Sequence, residues 1–270
     1  MPMFARSKAG AVLCCVLFAG LAAGGEWEGY ERLTRAELLA EIADTPKGAR
    51  PELKSKNLSN EDLSKVDFLG ADLSASVMNG AQLGGATLDR CNLTVSFLEG
   101  AKLAGASLRE AMMFSVQLAG ADLTGADLSG ARLIGDLRKT TLSKAKLLRM
   151  NAAPDMKNQS MGLMRANIVN AIAVEADFSD SDFSRTDFSF SDLSRARMLR
   201  TKLVGADFSG ATLAGADLTD ADLRKATLID TDFSGANLTN VDFTDATFRG
   251  TRGFDSAKTS GARGLPSEQH

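Results

Sequence analysis

Side chains able to do acid–base, nucleophilic or metal chemistry are few in this sequence and poorly placed for it. The one histidine, His270, is the last residue, and outside the first 25 residues the only cysteine is Cys91. No phosphate-binding glycine loop, zinc-ligand cluster or nucleophile motif is present. Carboxylates are plentiful, and Asp182, Asp222 and Asp242 recur at intervals of twenty with Lys202 between the first two. Like charges stacked about 4.8 Å apart repel, and the interposed Lys202 relieves such a ladder, so no bound cation is needed to explain it. The expectation is a chain without catalytic residues, cofactor or metal.

The carboxylates belong to a longer pattern, since a large apolar residue returns at every fifth position. Leu58, Leu63, Phe68, Leu73, Met78, Leu83, Leu88, Leu93, Leu98, Leu103, Leu108, Met113, Leu118, Leu123, Leu128 and Leu133 form a first array. A second runs from Leu163 through Phe178, Phe183, Phe188, Leu193, Met198, Leu203, Phe208, Leu213, Leu218, Leu223, Leu228, Phe233, Leu238 and Phe243 to Phe248. Two positions before most of these large residues stands a small one, such as Ala71, Ala101 or Ala121, and the position between is often Asp or Asn.

A period of five fits neither the 3.6 of an α-helix nor the 2 of a continuous strand. It fits a short extended unit followed by a corner. With three residues extended, the small and large side chains point to one side and the Asp or Asn to the other. Ser-Gly, Thr-Gly or Ala-Gly then turns the chain, and successive coils stack through backbone hydrogen bonds with the apolar side chains inside. Cys91 falls in the small inward slot, which makes it a buried filler rather than a reactive thiol.

The motif A(D/N)LxG, as in ADLTGADLSGARL from Ala121, closely resembles the pentapeptide-repeat family over residues 56–250. That resemblance implies a right-handed quadrilateral parallel β-helix with four repeats per twenty-residue coil. About nine coils would make a rod on the order of 45 Å long. Interval-of-twenty columns then follow, including Phe188, Phe208, Leu228 and Phe248 in the core.

The N-terminus reads differently. Arg6 and Lys8 precede an apolar stretch from Ala9 to Ala23, and Ala22, Ala23, Gly24 and Gly25 lead into Glu26, Trp27 and Glu28. This is the order of a secretory signal peptide, shorter than the ~20 apolar residues that span a bilayer. Cleavage is expected after Ala23 to Gly25, leaving no stable membrane anchor and placing the protein in the periplasm or outside the cell; an uncleaved membrane anchor is the disfavoured alternative. Cys14 and Cys15 leave with the leader, so the lone Cys91 permits no internal disulfide. Residues 26–55 then form a capping segment. Thr34 and Glu37 have the form of a capping box opening a short helix with Leu38, Leu39 and Ile42 on its apolar face, ended by Pro46, Gly48 and Pro51. Such a helix would cover the unpaired first coil.

Departures from the repeat mark candidate contact sites. Leu137, Leu142 and Leu147 come one residue early, and RMNAAPDMKNQSM then breaks the pattern, so an irregular loop is expected at about 148–160. Its Pro154, Asp155, Asn158 and Gln159 suit an exposed turn able to contact a partner. Val77 and Phe97 stand in outward slots normally polar, with Val95, Met112 and Phe114 at or near the adjoining corner. Together they make a candidate apolar patch, covered either by another part of the chain or by a protein partner. Residues 251–270 are polar, lack the repeat and are expected to be a mobile tail.

With 31 basic and 34 acidic residues the net charge is only -3, so nothing gathers nucleic acid by charge. The expected function is a non-catalytic envelope or periplasmic scaffold that binds an unidentified protein. An alternative comes with the resemblance: quinolone-resistance members of the family imitate duplex DNA and engage DNA gyrase. Here an export signal and the cations Arg195, Arg197, Arg200, Lys202, Arg224 and Lys225 depart from that pattern. A C-terminal coil without a capping helix leaves a homodimer through that end as a further expectation.

Overall fold

The fold is built by one hydrogen-bonding rule repeated along the chain. In the computed structural model, which describes Trp27 and residues 29–154 and 165–266, each outward residue pairs in parallel with the residue about twenty positions on. The N–H of Leu58 donates to the carbonyl of Val77 (2.7 Å), and the N–H of Val77 donates to the carbonyl of Lys56 (2.9 Å). Four such ladders define four faces. The first holds Glu52, Asp72, Asn92, Met112, Arg132, Asn151, Asp182, Lys202, Asp222, Asp242 and Arg263 in succession, confirming the charged column read from the sequence. The second begins at Asn57, the third at Asp62 and the fourth at Asp67. Ten stacked positions on the fourth face, Asp67 to Lys258, give a rod of about 43 Å at the strand spacing.

Side chains obey the alternation that the sequence implies. The large central residues are buried along the whole rod, Leu58 to Phe243, and so are the alanines two positions before them. Where Ser or Thr replaces alanine, the hydroxyl usually bonds a carbonyl: Thr201 Oγ1 donates to Phe178 O (3.1 Å) and Ser96 Oγ to Leu93 O (2.6 Å), whereas the buried Thr186 hydroxyl has no partner. Phe188 and Phe208 stack with ring centroids 5.1 Å apart and planes 6° off parallel. Cys91 is fully buried, and burial pushes its thiol up to about 12.

Almost every corner takes one residue into the left-handed region, the one at Gly135 excepted. Gly70 and Gly120 occupy it at φ +71° and +68°, but Asn60, Lys65 and Asp220 adopt it as well. The outward Asp steadies the turn. Asp122 Oδ1 accepts the N–H (3.0 Å) and hydroxyl (2.6 Å) of Thr124, and Asp232 does the same with Ser234. This is why Asp or Asn precedes the large residue and Ser or Thr follows it.

The N-terminal end is closed as expected by a helix, α1 (Arg35–Ala43), whose capping box joins Thr34 and Glu37. Leu38 and Ile42 are buried beneath it, but Leu39 is exposed, because the helix sits on the coil edge through a stripe too narrow for all three. Ahead of it β1 (Glu31–Arg32) pairs with β2 (Lys56–Asn57) and adds one partial coil.

The C-terminal end corrects the sequence reading. Residues 251–266 are not a mobile tail: Arg252, Lys258 and Arg263 pair with Asp232, Asn237 and Asp242. The repeat was invisible there because Gly253 and Gly264 replace the large central residue. The backbone leans inward onto the core, so close that a Cβ on Gly253 would lie 2.2 Å from Ser234 N. Phe254 lies 5.4 Å from Phe233, and Phe248, Ala257 and Leu265 pack on the same end. The rod also starts earlier than residue 56, since Glu52 already pairs with Asp72.

The one-residue slip after Leu133 is a cut corner. Strand β3 (Met112–Gln117) pairs with β4 (Arg132–Asp136), five residues opposite six, and the register shifts between Phe114 and Val116 so that Ser115 is passed over. Gly135 makes this possible, because a Cβ there would stand 2.2 Å from Val116 O. Gly135→Ala should therefore destabilise the protein by about 1–3 kcal/mol, read as a lower midpoint in urea.

The Asp turns also carry a pH dependence. Asp62, Asp122, Asp232 and Asp242 are held below the usual carboxylate range, first by the hydroxyl of the Ser or Thr two residues on and also by its N–H. A carboxyl depressed in the folded state contributes its full stability above the unfolded value of about 3.9 and loses it as pH falls through the folded value. Thermal melting should thus be nearly flat from pH 7 to about pH 5 and fall steadily below about pH 4. A melting temperature constant down to pH 2 would remove these turns from the stability account.

Candidate functional site

The irregularities of the rod converge on the edge between its first and second faces. Val95 occupies a corner there at φ +59°, Phe114 the corner of the next coil, and the cut corner at Gly135 follows. In the coil after that, the chain leaves the ladder at Asn151 and rejoins it at Asn167, which pairs with Asp136. An insertion is thus rooted on the same edge. Asn151 itself is still in register, so the excursion begins later than residue 148; Pro154 is half-buried, and Asp155, Asn158 and Gln159 lie outside the described residues.

The five patch residues divide into two groups. Val77 and Phe97 stack in one column of the second face, between Asn57 and Gln117. Val77 is fully buried although it points outward. The reason is the N-terminal segment: the Trp27 ring lies 4.8 Å from that of Phe97, and Tyr30 meets Trp27 edge-on at 5.6 Å. From there the chain runs down to β1 beside Asn57, crossing the level of Val77. Lys56 fixes this segment by bonding Glu31 (2.7 Å) and Glu41 (3.3 Å).

Met112 and Val95 remain open, at 49% and 37% exposure. Phe114 is half-buried under Arg132, whose guanidinium carbon lies 5.0 Å from the ring centre. Arg132 also donates to the carbonyls of Asn151 (2.8 Å) and Ala153 (2.7 Å), tying the root of the insertion to the patch. Half of the sequence-predicted patch is therefore a seat for the chain's own N-terminus, and the other half is open surface. Trp27 is the residue that the outward-slot pattern could not supply; its signal was only that the sole tryptophan follows the apolar stretch 9–23 by a few residues.

The charged surface is arranged in bands. Around the fourth face one coil carries Lys144, Lys146 and Arg149, the next Glu175, Asp177 and Asp180, the next Arg195, Arg197 and Arg200, and the next Asp217 and Asp220. Adjacent bands pair: Arg195 with Glu175 (3.1 Å), Arg197 with Asp177 (3.2 Å) and Arg200 with Asp180 (2.6 Å). Lys202 stands between Asp182 and Asp222, and Arg224 bonds Asp222 (2.7 Å). Among the described residues no group of three or more His, Cys, Asp or Glu is placed to hold a metal ion.

Comparison with known proteins agrees with the architecture. The family model for pentapeptide repeats matches eight copies, over residues 57–94, 98–134, 163–198, 200–228 and 216–252. The chain belongs to the pentapeptide-repeat family. Its fold is accordingly a right-handed quadrilateral β-helix. Among solved structures, this pentapeptide-repeat protein is similar to HetL, involved in heterocyst differentiation regulation in the cyanobacterium Nostoc: 27% identity, 85% of this chain, 96% of that one, TM-score 0.42. Rfr23 from the cyanobacterium Cyanothece is 23% identical over 46% of this chain and 90% of its own, with a TM-score of 0.41. QnrB1, a plasmid-mediated fluoroquinolone resistance protein, is 19% identical over 73% of this chain and 90% of its own, at a TM-score of 0.37. At such TM-scores none of these likenesses bears on what this chain binds. No curated protein matches the chain significantly.

The Trp27 seat is directly testable. Trp27→Ala should uncover Val77 and Phe97, raise binding of a hydrophobic dye and lower stability by about 1–3 kcal/mol. Unchanged dye binding and stability would mean that the segment does not hold the patch closed in solution.

Proposed function

We propose that this pentapeptide-repeat protein is an exported, non-catalytic scaffold of the periplasm or cell envelope that binds another protein. The observation that carries the reading is the open half of the apolar edge. Met112, Val95 and Phe114 lie together on a rigid four-sided rod, beside the root of an insertion, where ordinary coils place polar residues or glycine. Contiguous apolar surface on a stable scaffold marks a contact site. The reactive groups offer no competing catalytic reading: Cys91 is buried and its thiol suppressed, and the aspartates are engaged in turns and inter-coil pairs. Export rests on Arg6, Lys8 and the apolar stretch 9–23, which lie outside the described residues.

The alternative, imitation of duplex DNA toward gyrase, requires a continuous negative surface. Bands that alternate in sign from coil to coil oppose it, because the Glu175, Asp177 and Asp180 row on the fourth face is paired with the Arg195, Arg197 and Arg200 row beside it. Fractionation of cells expressing the tagged full-length chain, with intact-mass analysis and a gyrase supercoiling assay, separates the two. The scaffold reading expects a mature protein beginning near Gly24 to Glu26, found outside the cytoplasm and without effect on supercoiling at high excess. A full-length cytoplasmic product that inhibits or protects gyrase would overturn it.

A further inference from the structure

A second apolar line runs along the opposite edge of the second face, where it meets the third. Phe190 occupies a corner at φ +60° and is 64% exposed. Equivalent corners hold glycine in Gly80, Gly100, Gly120, Gly210 and Gly250, the short polar Asn60, Asn170 and Asp230, or Lys139, and Phe190 is the one apolar side chain among them. A phenylalanine in the left-handed region brings strain without the turn bonding that Asn or Asp supplies, and the core gains nothing from a ring left in water. The ring instead lies along the outer surface over Gly210, where a Cβ would stand 2.6 Å from it. One coil below, Ile172 takes an outward polar slot of the third face at 49% exposure, with Val169 half-buried at the corner beside it. Ile229, half-buried, continues the line one coil beyond Gly210.

Charge on this edge is not balanced as it is around the fourth face. Asp192, Asp207 and Asp230 flank the apolar line and have no ion-pair partner among the described residues, while Asp187 is bonded by Arg165 (2.9 Å). The cations Lys139 and Arg249 stand at the two ends of the stretch, one coil outside it. The coil spacing of about 4.8 Å is close to the 5.4 Å pitch of an α-helix, so one stripe of a helix laid along the rod meets successive coils turn by turn.

We infer that the edge carrying Val169, Ile172, Phe190 and Ile229 is a docking surface for a basic amphipathic helix of a partner protein. Phe190 is its aromatic anchor, packed against the helix's apolar stripe, and Asp192, Asp207 and Asp230 receive lysines or arginines flanking that stripe. This site depends neither on export nor on the Met112 edge, so either can fail without the other.

The test is fluorescence anisotropy of the full mature protein with a labelled amphipathic leucine–lysine peptide, beside a leucine–glutamate peptide of the same pattern. The wild type should bind the first and not the second. Phe190→Gly should weaken binding about tenfold or more while leaving the melting temperature unchanged or raised, since glycine suits the corner. Asp192→Asn with Asp207→Asn should weaken it similarly, because asparagine keeps the turn acceptor and removes the charge; Met112→Ser should leave it unaltered. Failure of the wild type to bind, equal binding of both peptides, or binding insensitive to Phe190→Gly would each overturn the assignment. A dimer in light scattering that Phe190→Gly dissolves would assign the edge to a second copy of this chain and overturn it as well.

Discussion

Each extended residue of this protein must find its backbone partner one coil away, and almost everything else in the structure is a consequence. A parallel ladder with a repeat of twenty residues leaves five residues per side, of which three are extended and two must turn through roughly a right angle. The turn needs a left-handed residue, which explains glycine at so many corners; where glycine is absent the ladder holds Asn and Asp in that region, but also Lys, Arg and Glu and, at Leu69, Val95 and Phe190, apolar residues. The inward slots are fixed in size by the same ladder. A large residue at the centre and a small one two positions before it fill a cross-section that cannot grow, and the serines and threonines that enter it mostly donate to core carbonyls.

Because the ladder and the core bear the stability, the outward slots are comparatively free. Asp and Asn are kept there by the turn bond, and around the fourth face cations one coil away pair with them. Against that background, apolar residues in outward or corner positions stand out as features the fold does not require. Val77 and Phe97 have an internal explanation in Trp27, which anchors the segment that adds the first partial coil. Met112, Val95 and Phe190 have none within the described chain, and the last two lie on opposite edges of the second face.

The fold was legible in the sequence because its period is local: one large residue every five positions reports both the strand and the corner. Legibility failed where a coil keeps the ladder but changes the filler. Gly253 and Gly264 let the last coil settle onto the backbone at Phe233 and Phe243, and the apolar signal vanished although the backbone pairing continued. Site residues were legible only as exceptions to the slot rule. Val77, Phe97 and Met112 showed as exceptions, but the distinction between a covered and an open patch depended on Trp27, which precedes the repeats and has no slot. Phe190 and Ile172 were visible by the same rule, as a ring in a glycine position and an isoleucine in an aspartate position; the steady recurrence of phenylalanine in the neighbouring centres Phe178, Phe183 and Phe188 masked them.

The most direct test of the claim that function resides in the outward exceptions is to regularise them in one chain. Val95→Gly, Met112→Asn and Phe190→Gly restore the residues that ordinary coils carry, and both thermal stability and photo-crosslinking to neighbouring proteins in the producing cell would be measured against the wild type. The account predicts a melting temperature equal to or above that of the wild type together with loss of discrete crosslinked adducts. Adducts that persist unchanged on the regularised rod would contradict it and place the contacts on the polar faces instead.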